Sequence, residues 1–154
     1  MTIQPFRPND EAGIDALIAK VASEYDEQIY PPDRRPLSEA AAEPGKQYWV
    51  CMKDDTVVGC IGVWLIDNSN CVLKSMFVET SRRGTGIANQ LLDTATGWAV
   101  QHGAARMYLG TMIQFRAAQR FYEKLGFEKI SELELPSDFP ANPVDRVFYT
   151  KALK

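Results

Sequence analysis

The hexapeptide Arg83-Gly84-Thr85-Gly86-Ile87-Ala88 joins two segments of different periodicity. Before it, the apolar run Leu73 to Val78 reads as a strand; after it, an amphipathic segment opening at Ile87 reads as a helix. A glycine turn that feeds a helix N-terminus leaves several backbone N–H groups without partners, and the helix dipole adds partial positive charge there. Two glycines let a phosphate come close to that backbone, where a side chain would hold it away. The turn therefore predicts a phosphorylated ligand.

Outward from this unit, the chain alternates between the two periods. Thr2 to Arg7 reads as a strand, and Ile14, Leu17, Ile18 and Val21 recur at helical spacing behind a cap at Asn9 or Asp10. Three prolines make Tyr25 to Pro36 a loop, and Ser38 to Glu43 a short helix stopped by Pro44-Gly45. Gln47 to Lys53 and Thr56 to Asp67 form a hairpin about Asp54-Asp55, and Asn68 to Asn70 turn the chain into Cys71 to Val78. The helix from Gly86 to His102 buries Ile87, Leu91, Ala95, Trp98 and Ala99. A strand at Arg106 to Thr111, a helix at Phe115 to Leu125 ended by Gly126, and strands at Phe127 to Leu135 and Val144 to Leu153 complete the order. An antiparallel meander followed by β-α-β-α-β-β predicts an α/β fold with mixed strand directions, as one domain over residues 1–154.

Composition narrows the function classes. Hydrophobic residues make up 45% and charged residues 24%, the balance of an ordinary folded domain. A formal net charge of −3 creates no field that would gather nucleic acid, and no apolar run approaches membrane-spanning length. Met1 to Asp10 carries no signal-peptide core. Cys51, Cys60 and Cys71 each sit in an apolar run without metal-ligand spacing, which reads as reduced core thiols of a cytoplasmic protein and no metal site. Two phosphate-binding alternatives fail on residues. The third glycine of a dinucleotide fingerprint would fall at Asn89, and no Gly-Lys-Ser/Thr follows the turn.

With these motifs in this order, the chain resembles the GCN5-related N-acetyltransferase (GNAT) family. The family's acetyl-coenzyme A motif is met by Arg83, Gly86 and Ala88, directly after the strand ending Met76-Phe77-Val78. Its later signature, a tyrosine near a helix end followed by Gly-Phe, is met by Tyr122-Glu123-Lys124-Leu125-Gly126-Phe127. The resemblance implies a mixed, mostly antiparallel central sheet flanked by helices, with a splay between two parallel strands. It implies transfer of an acetyl group from acetyl-coenzyme A, as cosubstrate, to an amine by direct attack on the thioester. The turn residues Arg83, Gly84, Thr85, Gly86, Ile87, Ala88 and Asn89 would then hold the pyrophosphate. Met76, Phe77 and Val78 would pair with the pantetheine arm, and a backbone N–H near Val78 would polarise the thioester carbonyl. Dimerisation is common in the family. An acyl-coenzyme A-binding sensor without turnover is the rival reading, and retention of Tyr122 argues against it.

Tyr122 is the proton donor that the resemblance implies for the departing thiolate. The chemistry suits it, because a phenol of pKa about 10 stays protonated at neutral pH and can donate to a thiolate of pKa about 8.5. Two positions depart from the family pattern. Phe115 stands seven residues before Tyr122, where many members have asparagine, and Gly110 lies about where protein-acetylating members often carry a glutamate. No base is therefore carried over, and Glu24, Tyr25, Asp26 and Glu79 are candidates by position alone. His102, the sole histidine, sits at a helix end and is expected to face away from the motifs.

Overall fold

The computed structural model describes residues 1–25, 35–67 and 69–153. The Tyr25–Pro36 loop falls largely outside them, as do Asp26, Tyr30 and Asn68. Strands lie at Thr2–Pro5 (β1), Lys46–Lys53 (β2), Thr56–Leu65 (β3), Asn70–Val78 (β4), Arg106–Thr111 (β5), Glu128–Ile130 (β6) and Val147–Ala152 (β7). Helices lie at Glu11–Ala22 (α1), Leu37–Ala41 (α2), Ile87–Gln101 (α3) and Arg116–Lys124 (α4). The strands form one sheet in the order β1-β2-β3-β4-β5-β7-β6. Every neighbouring pair is antiparallel except β4 and β5, which the crossover helix α3 joins in parallel. The β2–β3 hairpin turns at Asp54 and Asp55, both with left-handed φ (51° and 62°), as a two-residue connection of matching twist requires.

Two apolar layers hold the sheet. On one face, Ile87, Leu91, Ala95 and Ala99 of α3 and Tyr122 of α4 pack against Val63, Leu73, Met107 and Leu109. On the other, Ile14, Leu17, Ile18 and Val21 of α1 pack with Tyr48, Val50, Cys60 and Phe77. Glu11 fixes α2 to α1, its carboxylate accepting from Leu37 N (3.1 Å) and Ser38 N (2.8 Å) at the α2 N-terminus. All three cysteines are buried and free.

The feature that positions the site is a short ladder. β4 and β5 pair only from Asn70–Arg106 to Val72–Tyr108. Past that point β4 bulges: the register with β3 shifts between Cys60 and Gly62, and Ser75 takes a left-handed φ of 53°. An extra residue in one strand bends it and disrupts the ladder locally. β5 meanwhile stays paired with β7 along its whole length. The expected splay between two parallel strands is thus present, with β4 leaning away from β5.

Four boundaries differ from the sequence reading, each for a local reason. β1 ends at Pro5; Phe6 N still donates to Tyr48 O (2.8 Å), but Pro8 has no N–H for a ladder and opens a 3₁₀ turn. Asp10 does not cap α1; its carboxylate turns back to accept from Arg7 N at 2.9 Å and closes a 3₁₀ turn over Pro8–Asp10. The strand expected over Phe127–Leu135 stops at Ile130. Ser131 and Glu134 form a reciprocal capping box there, which outcompetes strand pairing. The last strand begins at Val147 instead of Val144. Asn142 closes a turn, with Asp145 N donating to its carbonyl (3.0 Å) and Val144 N to its side chain (3.2 Å).

Leu91, fully buried at the centre of α3, tests the packing that holds this helix to the sheet. Leu91→Ala is expected to lower unfolding free energy by about 2–5 kcal/mol, read from urea denaturation.

Candidate active site

A cleft of about 470 Å³ runs along the bent half of β4, bounded by the glycine turn, α3 and α4. At the turn, Gly84 and Gly86 have φ of 80° and 89°, and a Cβ on either would meet nothing within 4 Å. Backbone conformation, not crowding, demands glycine here, and the space above is open. The first intrahelical bond of α3 runs from Gln90 N to Gly86 O (3.0 Å). Among the described residues, the N–H groups of Gly84, Gly86, Ile87, Ala88 and Asn89 have no backbone acceptor. Thr85 instead ties the turn together, its N–H (3.3 Å) and hydroxyl both donating to Arg82 O.

The charged residues around the turn pair with one another. Arg83 Nη1 donates to Glu24 Oε1 at 3.0 Å, and Thr80 Oγ1 also donates to Glu24. Lys20 pairs with Glu79, and Arg82 Nε lies 3.5 Å from the same carboxylate. The hydrogen bond from Lys20 holds the Glu79 carboxyl below its usual value. Both carboxylates are thus engaged at the turn, Glu24 by Arg83 and Thr80 and Glu79 by Lys20. Tyr25 does border the cleft, packed at 5.1 Å against Phe115, so these two rings form an aromatic wall of the cleft. Phe115 thus fills with a ring the place where many family members have an amide. His102 stacks on Trp98 at 4.2 Å, with Nδ1 2.8 Å from Trp98 O, at the far end of α3.

Met76, Phe77 and Val78 line the cleft along the open edge of β4. Glu79 N donates to Val58 O of β3 at 2.9 Å. Alternation along a strand turns the preceding amide, Val78 N–H, to the opposite edge, toward the splay. Tyr122 closes the cleft from α4. Its ring packs among Phe121, Phe127 and Tyr149, and its hydroxyl donates to Met76 Sδ at 3.6 Å. The phenol is therefore aimed across the splay at a sulfur atom on β4. Burial pushes its pKa up, with the charge of Asp145 adding to the shift, so it stays protonated throughout the working range.

Asp145 is the group that sequence reading did not single out. A second, smaller cleft of about 140 Å³ adjoins the first at Met76, Phe115 and Tyr122 and contains Lys74, Gly110 and Asp145. A Cβ on Gly110 would lie 2.6 Å from Asp145 Oδ2. The Asp145 carboxylate thus fills the space that a side chain at Gly110 would occupy. Among the described residues this carboxylate accepts no hydrogen bond. Burial lifts its pKa from 3.8 to about 6, against the opposing charges of Lys74 and Arg146. The only signal in the sequence was an acid shortly before a strand, indistinguishable from a solvated turn residue.

Comparison with known proteins fits this arrangement. The sequence model of the acetyltransferase (GNAT) family matches residues 14–127. YjgM of Escherichia coli (strain K12), described as an uncharacterized N-acetyltransferase, is 32% identical over 130 residues, 79% of this chain and 78% of its own length. Human N-acetylaspartate synthetase is 38% identical over 85 residues, 54% of this chain but only 28% of the human protein. Among solved structures, a GNAT-family acetyltransferase from Staphylococcus aureus Mu50 superposes with a TM-score of 0.92 at 30% identity, over 99% of each chain. An aminoglycoside 6'-N-acetyltransferase complexed with coenzyme A shares the fold, with a TM-score of 0.74 at 21% identity over 100% of this chain and 98% of that one. The chain belongs to the GNAT acetyltransferase family. Its relatives are N-acetyltransferases, and the protein is an acyltransferase. No helix among the described residues is long and apolar enough to cross a membrane.

The raised pKa of Asp145 has a consequence for stability. Between about pH 4 and pH 6 the folded protein keeps a proton that the unfolded chain has released, so stability falls as pH rises through that window. Asp145→Asn cannot ionise and escapes this loss. Allowing for partial solvent screening, the variant should gain about 1–2 kcal/mol on wild type at pH 7.5 relative to their difference at pH 4. Urea midpoints at the two pH values check it.

Proposed function

We propose that this protein transfers an acetyl group from acetyl-coenzyme A to the amine of a small acceptor, by direct attack of the amine on the thioester. One observation carries the reading: a single cleft holds the unpaired N–H groups of the glycine turn, the open edge of β4 and the Tyr122 hydroxyl, in that order. That order matches the cosubstrate, whose phosphates, amide-bearing arm and thioester follow one another along its length. The N–H groups from Gly84 to Asn89 take the pyrophosphate. The exposed edge of Met76 to Val78 takes the arm as an added strand. Val78 N–H, facing the splay, stabilises the oxyanion that forms on the thioester carbonyl.

Tyr122 gives its proton to the leaving sulfur. Burial raises the phenol pKa, and the same dry surroundings raise that of a departing thiolate, so donor and acceptor stay matched. Met76 Sδ accepts from this hydroxyl, and that contact gives way to the thioester sulfur when the cosubstrate is bound. Arg83 acts on the turn through its pair with Glu24 and brings little free charge to the phosphates. The aromatic wall of Tyr25 and Phe115 favours a compact acceptor, in keeping with the name N-acetylaspartate synthetase carried by several partial relatives. Three buried free thiols support a reducing compartment such as the cytoplasm.

Tyr122→Phe keeps the ring and its packing and removes only the hydroxyl. Its kcat is expected to fall by roughly 10² to 10⁴, with acetyl-coenzyme A affinity unchanged; full turnover in the variant would assign the proton to water. Gly86→Glu places a carboxylate at the anion site and forces a side chain into left-handed backbone. Calorimetry should detect no coenzyme A binding, and unchanged affinity would remove the turn from the site.

A further inference from the structure

The base that the sequence does not supply has a position in the fold. Leu109 and Thr111 flank Gly110 on β5, and Leu109 packs on the α3 face. Alternation turns Gly110 toward the α1 face. Asp145 reaches the same spot from the turn before β7, with Oδ2 2.6 Å from where the Gly110 Cβ would stand. The strand lacks an acid side chain, and a loop carboxylate occupies its volume. Tyr122 belongs to the α3-face layer, so the phenol and the carboxylate approach the β4–β5 splay from opposite faces of the sheet.

We infer that Asp145 is the catalytic base that takes the proton from the acceptor's ammonium group, in place of an acid on β5. The inference rests on the acetyl-transfer reading above. Four features support it. The carboxylate lies in a cleft continuous at Met76 and Tyr122 with the one assigned to the cosubstrate. Among the described residues it accepts no hydrogen bond, so both oxygens are open to a donor. A pKa of about 6 leaves it ionised at neutral pH yet closer to a protonated amine than an ordinary aspartate, the range where proton transfer is efficient. Burial raises both pKa values from different starting points, so at neutral pH Tyr122 stays protonated while Asp145 remains ionised in spite of its burial.

The charged groups facing Asp145 set its titration. Lys74 of β4 stands across the cleft with Nζ 4.7 Å from the centre of the Trp64 ring, and Arg146 is the chain neighbour. Both favour the ionised carboxylate against the effect of burial. Burial lowers the Lys74 pKa, Asp145 raises it, and Lys46, with Nζ 3.6 Å from the centre of the same Trp64 ring, lowers it.

In the step itself, the acceptor R–NH₃⁺ gives one proton to the Asp145 carboxylate. The freed lone pair forms the N–C bond to the thioester carbon, moving the C=O pair onto the oxygen, and the return of that pair breaks the C–S bond. The sulfur takes the Tyr122 proton, and the second proton on nitrogen restores the phenol. Asp145 releases its proton to solvent. The products are the N-acetyl amide, coenzyme A and one proton.

Thiol release from acetyl-coenzyme A with a panel of primary amines, followed across the pH range on both sides of neutrality, tests this. Wild type should show a rising limb in kcat/KM near pH 6, below the ionisation of the amine itself. Asp145→Asn, similar in shape, should bind coenzyme A with unchanged affinity and lose roughly 10² to 10⁴ in kcat/KM at neutral pH. Its remaining activity should rise only with deprotonation of the free amine. Wild-type kcat/KM and an unmoved limb in Asp145→Asn would overturn the role of Asp145 while leaving acetyl transfer intact. A wild-type limb that simply follows the amine would do the same without any variant. A wild type that releases no thiol with any amine would overturn both readings.

Discussion

The parallel pairing of β4 and β5 ends after three residues on each strand, and the site depends on that interruption. A parallel sheet normally satisfies every interior backbone group with the neighbouring strand, and leaving one unsatisfied in a buried place costs on the order of 1–3 kcal/mol. Here the bulge at Ser75 bends β4 away, while β7 keeps β5 straight. The layers on both faces hold the opening: α3 and α4 from one side, α1 from the other. What results is a strand edge inside the molecule instead of at its rim. Such an edge suits a ligand with amides of its own, spaced to complete the interrupted ladder.

Electrostatics around this opening are divided by place. At the mouth, Lys20, Arg82 and Arg83 pair with Glu24 and Glu79, three positive groups against two negative, in pairs near the surface that contribute little to stability. Under the proposed reading, fixed backbone dipoles, which need no rearrangement to act, join that one remaining positive charge in attracting phosphate. At the inner end the situation reverses. Tyr122 is buried and Asp145 and Lys74 are half-buried, and desolvation is the largest influence on each of their pKa values.

Much of the fold was legible because its signals are local. The glycine turn, the Asp54-Asp55 hairpin and the apolar stripe of α3 each declare themselves within a few residues, and each lies where expected except that Leu92 is buried and Trp98 only half-buried. Tyr122 was legible through its Gly-Phe context. Where the reading failed, a local competitor was at work: the alternating Glu-Leu pattern after Ile130 looks like a strand until Ser131 and Glu134 bond to the backbone. Asp145 was hidden for a different reason. Its importance comes from a contact with Gly110 across thirty-five positions of sequence, brought about because Asn142 delays the start of β7. A missing side chain at one position and an unremarkable acid at another carry no shared pattern along the chain.

The central claim is that one cleft receives coenzyme A from glycine turn to phenol. A crystal structure of the complex with coenzyme A measures it directly. The account predicts pyrophosphate oxygens within hydrogen-bond distance of N–H groups between Gly84 and Asn89, the pantetheine arm along β4 in the splay, and the sulfur beside the Tyr122 hydroxyl. Coenzyme A bound outside the splay, or with its sulfur turned away from Tyr122, would contradict it.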